Sequence, residues 1–184
     1  MKCLTNEEAR SWCQTSGLSV SSNLSLYYTP DCPYCLSIRL NDKPSRIIGL
    51  ADYLIPTWEE VPFTGALLWI TQWGIWDDHT EKTGAIIIEK MRLAARESQS
   101  IHQRPGHLFE PEELIEMHSY FVLPLLWGWD AFLVPNEKDY FVFVCHDEVA
   151  EVVCRTQETC ERLRERLASW KPELDDHWYR KRVY

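Results

Sequence analysis

Apolar and polar positions alternate most cleanly toward the end of the chain. Trp129–Val134, Tyr140–His146 and Val149–Arg155 each carry the period-two pattern of a strand, separated by turn sequences at Pro135–Asp139 and His146–Glu148. This spacing predicts a three-stranded antiparallel meander. Thr156 then stands where a helix N-cap belongs, and Cys160, Leu163, Leu167 and Trp170 form one apolar stripe at helical spacing, with Arg166 on the solvent side and Pro172 closing the helix. Residues 1–172 are expected to form one domain, followed by a tail from Glu173 to Tyr184 that frays unless Trp178 docks.

The amino-terminal half gives a more mixed pattern. Thr5-Asn6-Glu7-Glu8 is a capping box that opens a helix over Asn6–Ser16, with Ala9, Trp12 and Cys13 inward and Gly17 as a left-handed stop. Strands are expected near Leu24–Thr29, Tyr34–Leu40 and Arg46–Leu50, the last two joined as a hairpin through Asn41–Ser45. Ala51–Pro62 reads as an irregular connection broken by Pro56 and Pro62. Gly65–Ile70 reads as a buried strand, although Trp69, Trp73 and Trp76 would also share a helix face. A long helix opens at Thr80 and carries Ile86, Ile87, Met91, Ala94 and Ala95 to about Ser98. Ser98–Leu108 reads as a loop, and a further helix starts at Glu110-Pro111-Glu112-Glu113 and stops or kinks at Pro124. The sum is a single α+β domain: an antiparallel sheet of about six strands packed by about four helices around a Trp-rich core.

Composition narrows the function classes. The 184 residues carry a net charge of −9, which speaks against nucleic acid, since phosphate binding needs clustered Lys and Arg on one face. The longest apolar stretch, Phe121–Trp129, is too short for a bilayer and contains Pro124 and Gly128. Seven cysteines at irregular spacing, with no signal-peptide pattern in the first residues, point to reduced thiols and a cytoplasmic protein. An acidic surface favours a basic protein as partner.

The pair Cys32-Pro33-Tyr34-Cys35, entered from Leu24–Thr29, locally resembles glutaredoxins and the amino-terminal domains of glutathione transferases. That resemblance implies a thiol-disulfide oxidoreductase with Cys32 as nucleophile at a helix N-terminus and Cys35 as resolving thiol. Leu36–Leu40 instead alternates like a strand and runs into the turn sequence Asn-Asp-Lys-Pro, so the residues themselves place the pair on or beside a β-hairpin.

Other clusters give further candidates. Cys145-His146-Asp147-Glu148, with Cys154 and Cys160 beyond, gathers metal-ligand types, but no four share a known zinc spacing, so neither zinc nor any other cofactor is expected. Asp77, Asp78 and His79 precede a helix, where acids are ordinary dipole partners. Glu112, Glu113, Glu116 and His118 fail the three-or-four-residue spacing of ligand pairs. Trp73, Trp76, Trp127 and Trp129, together with Asp77, Asp78 and His79, remain as an aromatic and acidic contact surface, since Trp is enriched at binding hot spots. The role expected is therefore non-catalytic: binding another protein, in the manner of small immunity or adaptor proteins.

Overall fold

The computed structural model describes residues 1–15, 17–21, 24, 26–28, 34–40, 43–55, 62–73 and 79–174, the side chains of 79–82 excepted. Its strands are β1 (Lys2–Leu4), β2 (Leu18–Val20), β3 (Leu26–Tyr28), β4 (Tyr34–Arg39), β5 (Ala66–Gln72), β6 (Gly106–Phe109), β7 (Asp130–Pro135), β8 (Tyr140–Cys145), β9 (Val149–Cys154) and β10 (Glu173–Leu174). The helices are α1 (Asn6–Thr15), α2 (Pro44–Leu54), α3 (His79–Ala94), α4 (Leu114–Trp127) and α5 (Gln157–Arg166). Eight strands form one sheet in the order β1-β6-β5-β7-β8-β9-β4-β10, and β2 and β3 form a separate ribbon. Every pairing among the described strands is antiparallel. The fold is thus α+β, with a wider sheet than the pattern suggested.

Strand alternation divides the core into two layers. Leu68, Leu133, Val142 and Val152 face a layer that holds α2, α4 and α5 residues such as Leu50, Phe121 and Leu163. Their neighbours Leu67, Trp69, Phe132, Phe141 and Val153 face the other side, where Ala9 and Cys13 of α1 pack with Leu18 and Leu26 of the ribbon. A central sheet covered on both faces explains why β7 and β8 are almost wholly buried despite their alternation.

Local signals account for the elements read correctly. Glu8 accepts from the Thr5 backbone N–H at 2.8 Å while the Thr5 hydroxyl accepts from Glu8 N–H at 3.2 Å, closing the capping box of α1. Thr156 accepts from Thr159 N–H at 3.2 Å and starts α5.

Several expectations are corrected. Arg46–Leu50 is not a strand but the middle of α2, which Pro44 opens at its first position and which buries Ile47, Leu50, Ala51 and Leu54 at helical spacing. Strand β4 therefore has no hairpin partner at 46–50; it lies between β9 and β10. The 98–108 loop gives way to strand β6 from Gly106, where an added Cβ would sit 3.0 Å from Leu4 and 3.2 Å from Ala9. Glycine is what lets α1 and β1 approach this closely. Finally, α4 continues through Pro124 and ends at Gly128, whose φ of 60° forms the left-handed cap. The helix opened near Thr80 also turns differently: Gly84, Ile88 and Arg92 face inward, while Ile86 is 57% exposed.

The carboxy-terminal unit gives a quantitative test. Leu167 is wholly buried, so Leu167→Ala is expected to cost about 2–5 kcal/mol. Arg166 does not face solvent idly: it donates to the carbonyls of Tyr53 at 3.1 Å and Asp52 at 3.0 Å, in the last turn of α2. Arg166→Ala is accordingly expected to cost about 1–2 kcal/mol rather than nothing, because carbonyls at a helix end lose a charged donor. Urea unfolding of the two variants measures both losses, and an unchanged midpoint for Arg166→Ala would show that this tie between helices is inert.

Candidate functional site

The sequence candidates separate into three places. The first is the thiol pair. Cys35 is buried in β4 opposite Val153, and the residues after it continue as strand, so the helix that a glutaredoxin-like thiol requires is not there. Cys32 lies outside the described residues, as do Trp76, Asp77 and Asp78, and the His79 side chain is not described.

The second is the aromatic group. Trp129 is fully buried and stacks on half-buried Trp127 with ring centres 6.2 Å apart. Both rings rest on Gly84 of α3, where a Cβ would come within 2.8 Å of each. Half-buried Trp73 lies 4.7 Å from the His102 ring. Trp129 is thus packed as core, while Trp127 and Trp73 keep part of their surface open. Since Gly84 meets Trp127 and Arg92 lies beside His107, whose ring is 5.2 Å from Tyr120, α3 runs antiparallel to α4.

The third place is the β8–β9 turn. Asp130 begins β7 one residue before Ala131, which pairs with Val144, so Asp130 comes opposite Cys145 at the turn. One Asp130 oxygen, Oδ1, accepts the His146 backbone N–H at 2.8 Å and lies 2.8 Å from His146 Nδ1. Donor atoms of Asp130, Cys145 and His146 all fall within 4.8 Å of one another. Asp147 adds a carboxylate 3.8 Å from the Cys145 sulfur and 3.9 Å from His146 Nε2. Cys145 and Asp147 also line an open depression of about 290 Å³ with Arg39 and Glu151. A thiol, an imidazole and carboxylates so gathered can hold a divalent ion. Sequence spacing picked out Cys145 and His146 but missed Asp130, because strand pairing and not proximity in the chain delivers it. Cys154 and Cys160 do not join them: Cys154 sits at the far end of the β8–β9 pair, opposite Tyr140, and hydrogen-bonds the Cys160 thiol in the other core layer.

A buried polar group unsuspected from sequence lies between α3, β6 and α4. Arg92 is fully buried, donating to the carbonyls of Arg104 and Gln99 at 2.9 Å each, with Nη1 2.6 Å from His107 Nε2. Burial, then the Arg92 charge, pushes His107 down to about 3, so it stays neutral and accepts from the guanidinium. Burial likewise raises the nearby Cys3 thiol to about 11, which makes it unreactive. This group fastens the 99–104 segment to the sheet.

No protein-family model matches the chain, and neither a curated protein nor a solved structure matches it.

Proposed function

We propose that this protein is a non-catalytic, cytoplasmic domain that binds a basic protein partner through an acidic and apolar surface. The observation that carries the reading is Ile115 at the start of α4, 77% exposed between the exposed carboxylates of Glu112 and Glu116. An isoleucine so placed leaves most of its apolar surface open to a partner, while its acidic neighbours favour positive charge on that partner. Leu93, 63% exposed near the end of α3, lies at the same end of the antiparallel α3–α4 pair and offers a second exposed apolar side chain. Trp127, at the opposite end of α4, and Trp73 are separate part-exposed aromatics that this surface does not need. The net charge of −9 supports the same choice and disfavours nucleic acid. Among the described residues, no helix is long and apolar enough to cross a membrane.

The test places a photo-crosslinking residue at position 115 in the full-length protein inside its native host. A basic protein is expected to be captured, with capture weakened by added salt and, read from a probe at position 93, lost in Ile115→Lys/Glu116→Lys, whose urea midpoint stays unchanged. Crosslinking that is absent at both 115 and 93, or that resists salt and both substitutions, would refute the reading.

A further inference from the structure

We infer that Asp130, Cys145 and His146 form a binding site for a soft-to-borderline divalent metal ion, with zinc the natural occupant and Asp147 the fourth arm. The site lies at the β8–β9 turn, beside the first residue of β7 and next to the Gly128 cap of α4.

The first argument is the donor set. Thiolate and imidazole together select zinc, cobalt or a similar ion over calcium and magnesium, which prefer oxygen alone. The second is reach. Zinc bonds of about 2.0–2.3 Å place tetrahedral ligands roughly 3.3–3.8 Å apart, so donors already within 4.8 Å need move only about an ångström to close on an ion. His146 and Cys145 lie at the edge of a turn and Asp147 on it, where side chains can make that adjustment; Asp147 is 76% exposed. The third is orientation. The Asp130 carboxylate holds the His146 ring by Nδ1, and a carboxylate that grips a histidine in this way fixes its tautomer and direction for coordination. Asp130 can therefore serve as a direct ligand or, with the ion on Nε2 between Cys145 and Asp147, as the group that aims the ring. In both arrangements the same side chains are required.

Access also fits. Cys145 and Asp147 line the open depression beside β4 and β9, so an ion reaches them from solvent. Binding displaces the thiol proton: the Cys145 S–H bond breaks, a sulfur–metal bond forms, and the proton goes to water, so affinity rises with pH.

The experiment uses cobalt as the probe, added to the full-length protein after chelator treatment. One equivalent is expected to bind with a thiolate-to-cobalt absorption band that added zinc removes. Cys145→Ser, a near-isosteric change at a half-buried position, should abolish the band. His146→Gln and Asp130→Asn should each weaken binding at least tenfold, with far-ultraviolet circular dichroism and apo urea midpoints confirming that the variants fold. Cys32→Ser, which disrupts the other close pair of thiols in the sequence, should leave the band intact. Absence of the band, its survival in Cys145→Ser, or its loss in Cys32→Ser overturns the assignment.

Discussion

Replacing Trp69 with alanine is expected to cost about 3–5 kcal/mol, the range for deleting a buried large aromatic side chain. Trp69 sits in β5, pairs with Gly106 on one side and Phe132 on the other, and has no exposed surface. Its ring lies 6.3 Å from that of Phe132, which in turn packs at 4.7 Å against Phe143, so the loss falls in the middle of the α1-facing layer. The indole also donates to Asn6 Oδ1 at 2.9 Å and thereby ties α1 to the sheet. Asn6→Ala removes that tie alone and should cost about 1 kcal/mol. Urea unfolding with an unchanged slope measures both; equal small losses would mean that α1 is not seated on this face.

Acidification is expected to destabilise the fold well before the carboxylates titrate. His107 has a folded value of about 3 against an ordinary value near 6.5, because burial and then the adjacent Arg92 oppose its protonation. A depressed histidine means that the unfolded chain binds the proton and the folded chain does not. Stability is therefore fully present above about pH 6.5 and falls as pH drops toward 3, by roughly 5 kcal/mol over the whole window and about 2–3 kcal/mol between pH 7 and pH 4.5. His107→Gln keeps an acceptor for Arg92 but cannot take up a proton; it should lower stability at pH 7 and flatten the fall between pH 7 and pH 4.5. Urea midpoints at the two pH values decide the matter, and an equal fall in wild type and His107→Gln would rule out His107 as the source.

Elements carried by local signals were legible from the sequence. The Thr5–Glu8 box, the Thr156 cap and the period-two runs of β7, β8 and β9 each act over a few residues and specify their elements locally. Errors arose where tertiary context decided. Arg46-Ile-Ile-Gly-Leu50 is too short to distinguish periods, and Pro44 fits a turn and a first helical position equally. Strand β6 hides behind Gly106 and His107, residues poor in strand propensity that only neighbours from β1 and β5 make sense of. In α3 the run Ile86-Ile87-Ile88 offers apolar side chains to three directions, so the inward face could not be chosen without α4. Asp130 illustrates the same limit for the candidate site: its meeting with His146 follows from strand register, and no spacing rule within a turn contains it.

The strand order also dictates when this sheet can form during synthesis. Of the strands made first, β1 waits for β6, β5 for β6 and β7, and β4 for β9 and β10; none of the three pairs with another. Until Gly106 and the residues after it leave the ribosome, no described strand of the eight-stranded sheet has a partner. The nascent chain must therefore carry the apolar β5 segment Ala-Leu-Leu-Trp-Ile unpaired while residues 73–105 are made, a period in which it is vulnerable to aggregation and suited to chaperone capture. The β7–β9 meander, made of neighbours in sequence, is then the surface on which β5 and β4 dock from either side.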